Sequence, residues 1–258
     1  MRVELRVENE EGRDTGVVEG RNAVIEALRA GVAIDKVFIA KGDTDRTLMY
    51  IASAARAAGA VVVDADRRKL DAMSATHAHQ GVIAQAAFKE YVTVGDILEI
   101  ARDRDEPPLI VLCDEIADPH NLGAIIRTCE AAGAHGVIIP KRRSAGLTAT
   151  VAKVSSGAVY HVAVARVPNL TSSIAELKTA GLWVFGASAE GKTLLWDSDL
   201  TGPAALVIGS EGAGISRLVG EKCDFSVRIP MHGKISSLSA SVSAALLMYE
   251  AARQRRIT

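Results

Sequence analysis

Apolar positions along this chain recur with two periods that alternate from end to end. In the first third, the spacing of VVEGRNAVIEALRAG (17–31) predicts one amphipathic helix ending at Gly31. Strands are expected at KVFIA (36–40), VVVD (61–64) and GVIAQAAF (81–88), with helices at 46–58 and 66–74 between them. From residue 109 the alternation is more regular. Near-continuous apolar runs at LIVLCD (109–114), GVIIP (136–140), HVAVARV (161–167), LWVFGA (182–187), ALVIGS (205–210) and FSVRIP (225–230) read as strands. Helical spacing fills 121–133, 147–157, 169–180, 214–221 and 237–256. Apolar strands separated by helices predict an α/β fold, a buried parallel sheet with helices on both faces.

Polar stretches divide the chain. Residues 1–15 are charged throughout and read as a flexible tail, and 16–90 as a small α/β domain. Residues 91–108, a helix-like VTVGDILEIARD followed by DRDEPP, read as a linker, and 109–258 as the larger domain.

Composition narrows the class. Hydrophobic residues at 48% and charged residues at 24% fit a soluble globular protein, and no apolar run approaches membrane-spanning length. The three cysteines lie far apart and form neither a disulfide framework nor a C-x-x-C metal site, so a reducing cytoplasm is expected. The net charge of −1 argues against indiscriminate polyanion binding. It is unevenly spread. Residues 1–106 hold 15 basic and 19 acidic side chains (−4), whereas 107–258 hold 15 and 12 (+3), so a polyanion would favour the second half.

Two glycine-rich turns suggest nucleotide chemistry, and neither fits in context. Gly186, Gly191, Lys192 and Thr193 match the P-loop spacing. A P-loop must open a substantial helix, but Asp, Ser, Gly and Pro accumulate in the LLWDSDLTGP that follows. GSEGAG (209–214) lacks the G-x-G-x-x-G spacing of a dinucleotide site. Glu211 stands out within it, because nothing in a tight turn at a buried strand's tip demands a carboxylate. His77 and His79 resemble a metal pair, but no cysteine or carboxylate cluster accompanies them, and no metal site is expected.

Three segments share one design, a strand end running into a helix: DPHNLGAIIRTCEAAG (118–133), ALVIGSEGAGIS (205–216) and RIPMHGKISSLSASVSAALLMYEAARQRR (228–256). In order and spacing they resemble the three signature motifs of the SPOUT superfamily, specifically the TrmH/RlmB-type RNA ribose 2′-O-methyltransferases. EGRNAVIEAL and HQGVIA (79–84) are similar to the L30e-like RNA-binding domain of the RlmB branch. The resemblance implies a C-terminal deep trefoil knot, S-adenosylmethionine as methyl donor and a homodimer with active sites at its interface. Carried onto this sequence, the cofactor-binding positions are Gly209, Ile229 and Leu238, with Met231 and Ser237 adjacent and Ala187 and Ser188 forming another wall. The P-loop match is then accidental.

Methyl transfer from a sulfonium needs alignment and a way to make the ribose 2′-hydroxyl nucleophilic. The resemblance nominates Arg127, often proposed as general base. A guanidinium is effectively always protonated, so gripping the target phosphate and stabilising the alkoxide suits it better. Asn121 is a helix cap or an orienting group for Arg127 or substrate, and Glu211 a partner for ribose or arginine. Where the family's third motif commonly reads Ser-Leu-Asn, this chain has Ser237-Leu238-Ser239, so a short hydroxyl replaces an amide. Lys141, Arg142, Arg143 and Lys153 are candidates for tracking RNA phosphates. Arg253, Arg255 and Arg256 read as a solvated helix end. The expected activity is methylation of a guanosine ribose in 23S rRNA. The alternatives are tRNA or another rRNA nucleotide, a catalytically weakened RNA-binding or assembly factor (suggested by Ser239), and, ranked last, a P-loop NTPase.

Overall fold

A computed structural model describes residues 16–43, 45–74 and 76–255, so the expected tail at 1–15 lies outside the described residues. The elements follow in order: β1 (Val17–Glu19), α1 (Arg21–Arg29), β2 (Ile34–Ala40), α2 (Arg46–Ala57), β3 (Val61–Ala65), α3 (Arg67–Met73), β4 (Val82–Ala86) and α4 (Val94–Asp103). After these come β5 (Leu109–Cys113), α5 (Pro119–Ala132), β6 (Gly136–Pro140), α6 (Ala149–Val154), β7 (Ala163–Val167) and α7 (Leu170–Thr179). The chain ends with β8 (Trp183–Ala187), β9 (Thr193–Leu194), β10 (Ala204–Ile208), α8 (Arg217–Gly220), β11 (Phe225–Arg228) and α9 (Ala240–Arg255). Two compact units result, one running to Glu90 and taking in Leu147–Ala149, the other formed by Tyr91–Gly146 and the residues from Thr150 on.

The first unit is a mixed sheet in the order β1-β4-β2-β3. Alternation along β2 builds two cores: Val37 and Ile39 pack with Val24, Leu48 and Ile51 of α1 and α2, while Phe38 and Ala40 pack with Leu70 of α3. The single helix expected over 17–31 is in fact a strand and a helix. Val17–Glu19 pair antiparallel with β4, and Gly20, at φ 91°, turns the chain into α1. The branched Val17 and Val18 suit a sheet edge better than a helix start.

The second unit holds a seven-stranded sheet in the order β7-β6-β5-β10-β8-β11-β9, every pair parallel. One face is covered by α4 and α7 through Ile97, Leu170, Ile174 and Leu177, packed with Leu112, Ile138 and Val207 of the strands. The helices α5 and α9 bury Leu122, Ile125, Ile126, Leu247 and Met248. The stretch read as a linker is corrected here. Val94, Ile97 and Ala101 fall on one face of α4 and are buried, and a Thr93–Asp96 capping box fixes the helix start. Its apolar period outweighs the charged DRDEPP that follows it.

Parallel register positions the site. Cys113 pairs with Ile208, Val207 with Gly186, Ala187 with Val227 and Arg228 with Leu194. The carboxyl ends of β5, β10, β8 and β11 therefore lie along one rim, where loops of open α/β sheets bind ligands.

Candidate active site

Each loop on this rim is shaped by close backbone contact. After β10, Ser210 and Gly214 exchange backbone hydrogen bonds of 3.0 and 2.9 Å, closing a tight turn. A Cβ on Gly209 would lie 2.0 Å from the Gly214 carbonyl carbon and 2.2 Å from the Ile215 nitrogen, so only glycine fits. After β8, Ser188 N donates to Val227 O at 2.8 Å, and a Cβ on Gly191 would sit 2.5 Å from the Val227 carbonyl carbon. The loop is thus laid flat on β11. Thr193 and Leu194 then extend as edge strand β9, followed only by a single 3-10 turn at Leu195–Asp197, so no α-helix opens after the P-loop-like residues, and Lys192 is exposed. That removes the geometry an NTP site requires.

These loops enclose a cleft of about 710 Å³, within the range of roughly 300–1,000 Å³ usual for small-molecule sites. Gly209, Ile229 and Leu238, expected at one ligand, line it together. Ala187, Ser188, Met231 and Ser237 line it as well, and Glu211 stands at its polar end. Apolar walls come from Ile208, Ile215 and Val227. Cys223 also borders it, and burial pushes its thiol up to about 11, so it stays protonated and unreactive at neutral pH. A backbone cradle with apolar walls and few fixed charges fits a ligand such as S-adenosylmethionine, with its apolar-faced adenine and short zwitterionic chain.

Beside the cleft, polar groups of the three motif blocks meet. Asp118, not Asn121, caps α5 by accepting from His120 N at 2.9 Å. This leaves the Asn121 amide free to act elsewhere: Nδ2 donates to Glu211 Oε1 at 3.0 Å, and Oδ1 accepts from Ser241 Oγ at 2.8 Å. Glu211 Oε1 also accepts from Ala240 N at 3.3 Å, placing a carboxylate at the positive end of α9. Ser239 precedes α9 and caps it, its Oγ accepting from Val242 N at 3.3 Å, and it lies 3.2 Å from Ser241 Oγ. Sequence reasoning missed Asp118 and also Asp114, a buried carboxylate that accepts from Ser216 N at 2.7 Å and ties β5 to the loop after β10. The signal for Asp114 was a lone carboxylate ending an apolar strand.

Other expected residues lie elsewhere. Arg127 is exposed on α5, is not among the residues lining the cleft, and its side chain has no hydrogen bond or ion pair to another described residue. Arg142 and Lys153 are exposed, Lys141 is half-buried, and Arg143 pairs with Glu115 at 2.9 Å, a carboxylate that competes with any phosphate. His79 is buried, accepting from Gly81 N and bonding Asp71, which makes it a structural residue. Among the described residues no cluster of three or more His, Cys, Asp or Glu could hold a metal ion, and no helix is long and apolar enough to cross a membrane. Arg255, expected on a solvated helix end, is half-buried and donates to the carbonyls of Pro107, Pro108, Leu200 and Gly202, fastening α9 to the starts of β5 and β10. Arg253 pairs with Glu250 at 2.7 Å, and Arg256 lies outside the described residues.

Comparison with known proteins agrees with this geometry. Residues 108–249 match the SpoU rRNA methylase family, and residues 17–92 match the substrate-binding domain of RNA 2′-O ribose methyltransferases. YacO of Bacillus subtilis, assigned to the TrmH family of tRNA/rRNA methyltransferases, is 47% identical over 238 residues, covering 92% of this chain and 95% of that protein. The SpoU methyltransferase AviRb of Streptomyces viridochromogenes, solved with S-adenosylmethionine, superposes with a TM-score of 0.60 at 26% identity, over 94% of this chain and 91% of that one. An rRNA methyltransferase of Sinorhizobium meliloti bound to the same donor gives a TM-score of 0.57 at 25% identity, over 93% and 87%. The chain belongs to the SpoU (TrmH) family of RNA methyltransferases, enzymes that take their methyl group from S-adenosylmethionine.

Proposed function

We propose that this enzyme methylates the ribose 2′-hydroxyl of a guanosine in 23S rRNA. The observation that carries the reading is the convergence of Gly209, Ile229 and Leu238 on one cleft, lined also by Glu211, which bonds Asn121 and through it Ser241 beside the cleft. Bound there, S-adenosylmethionine supplies an activated methyl group. The chain's own groups do the rest. The loops after β8, β10 and β11 orient the donor through backbone contacts, and apolar walls exclude water. Glu211 keeps one carboxylate oxygen clear of described hydrogen-bond partners, available to a ribose hydroxyl or its departing proton. Arg127 grips the phosphate next to the target ribose and favours the alkoxide electrostatically.

Because Arg127 stands outside its own chain's cleft, the reading includes a homodimer in which α5 and α9 meet a second copy. The groove lined by Ala124, Thr128, Val242, Leu246 and Tyr249 supports it, with Val242 46% and Tyr249 53% exposed. The reading also includes a trefoil knot through β10, β11 and α9. The insertion of β10 between β5 and β8 and the packing of α9 against α5 support this. Residues 16–90 act as an L30e-like RNA-holding domain, on the strength of the substrate-binding match over 17–92. A second reading places the target in tRNA, because YacO belongs to a family named for both RNAs. Mapping ribose methylation in RNA from cells with and without the gene tests both. Loss of one 23S guanosine mark supports the first, loss of a tRNA mark supports the second, and an unchanged map rejects both.

A further inference from the structure

The hydroxyls beside the cleft form a chain whose direction can be worked out. Asn121 Nδ2 faces two carboxylates, Glu211 Oε1 at 3.0 Å and Asp118 Oδ2 at 3.5 Å, and carboxylates can only accept. The nitrogen is therefore on that side, and Oδ1 faces Ser241. An amide oxygen also only accepts, so the Ser241 proton points at Asn121. Ser241 then has only lone pairs for Ser239, whose own proton must point at Ser241. Ser239 Oγ in turn accepts from Val242 N in the first turn of α9. Every donor points the same way, from the positive end of α9 through Ser239, Ser241 and Asn121 to Glu211. Bonds aligned head to tail reinforce one another.

We propose that Ser239 and Ser241 are a positioning pair: linked to each other at 3.2 Å and to Asn121 at 2.8 Å, they hold the Asn121 amide in one orientation and thereby aim Glu211 into the cleft. Without the Ser241 hydroxyl, Asn121 Oδ1 loses its partner, the amide is held from one side only, by its bonds to Glu211 and Asp118, and its plane is free to rock about them. Ser239 in place of asparagine is, on this account, a working substitute. The proposal rests on the ribose-methylation reading for its kinetic consequence and on geometry alone for the orientation of Asn121.

The test compares Ser241→Ala and Ser241→Thr with the parent enzyme in three measurements. Donor affinity by calorimetry stays within twofold in all three proteins, because Ser241 is not among the cleft-lining residues. With ribosomal RNA or tRNA as substrate, kcat falls about tenfold in Ser241→Ala with little change in KM, and returns to within about threefold in Ser241→Thr, the scale of one organised hydrogen bond. The Asn121 side-chain amide gives two sharp, exchange-protected proton resonances in the parent and in Ser241→Thr, and broadened, unprotected ones in Ser241→Ala. An alanine variant with parental kcat and an unchanged Asn121 signal overturns the proposal. So does one that loses donor binding or stability in step with activity, since that marks a merely structural hydroxyl. If the parent methylates neither RNA, the functional reading has failed, and the Asn121 signal still decides whether the chain of hydroxyls exists.

Discussion

Replacing Gly209 by alanine tests the shape of the donor cleft directly. The added methyl would stand 2.0 Å from the Gly214 carbonyl carbon, where ordinary contact begins near 3.4 Å, so the backbone must retreat by about 1.4 Å. Both neighbours are main chain, and no side chain can swing aside. A retreat of that size breaks the 3.0 and 2.9 Å hydrogen bonds between Ser210 and Gly214. Two lost bonds at about 0.5–1.5 kcal/mol each, with overpacking of about 1–3 kcal/mol, give a destabilisation of about 2–6 kcal/mol. Gly209, Ser210 and Gly214 all line the cleft, so the same movement reshapes its wall, and affinity for S-adenosylmethionine should fall at least about tenfold. Urea denaturation and calorimetry measure the two effects. Gly202→Ala, where a Cβ meets nothing within 4 Å, serves as control and should stay within about 0.5 kcal/mol. A Gly209→Ala protein with parental stability and donor affinity would refute the reasoning.

Arg127→Ala should lower methyl transfer by about a hundredfold or more while donor affinity stays within twofold, as read by labelled-methyl incorporation and calorimetry; full activity excludes the role given to this residue. Asp114→Ala leaves Ser216 N without its acceptor and should cost about 1–3 kcal/mol in a denaturant titration. Gly123→Ala brings a methyl within 2.8 Å of Val154 and should destabilise by about 1–3 kcal/mol in the same assay. His135, whose Nδ1 accepts from Leu109 N, is held below its ordinary value of 6.5 by burial, which outweighs the opposing effect of the Glu106 carboxylate bonded to Nε2. The unfolded chain therefore binds this proton more readily, and stability should be full above pH 6.5 and fall as pH drops below it. In His135→Gln that part of the decline should vanish from melting curves taken between pH 7 and pH 5; an identical decline contradicts the assignment.

Much of the fold could be read from apolar periodicity. All six strands expected after residue 109 form, within two residues at each end, because runs such as LIVLC and AALVI are buried on both faces. What periodicity could not separate was a short branched segment from the helix after it, as at Val17–Glu19, whose partner lies far along the chain at Ile83–Gln85. It also missed the two-residue edge strand β9, which exists only because Gly191 lets the loop lie on β11. The cleft was legible in part. Gly209, Ile229 and Leu238 were chosen by resemblance and do converge on one cavity. The Asn121–Ser241 bond joins residues 120 positions apart, and no local pattern announces it. Arg255 deceived for a related reason. Basic residues at a helix end suit the dipole, yet this one spends its donors on four carbonyls brought near by the tertiary fold.

The central claim is that this cleft serves transfer of a methyl group to a ribose oxygen. Incubating the purified enzyme with tritiated-methyl S-adenosylmethionine and unmodified 23S rRNA or tRNA, then digesting to nucleosides, identifies the labelled product. A 2′-O-methylated nucleoside, absent with Arg127→Ala, is the predicted result. Label on a base, or none in either RNA, would contradict the account.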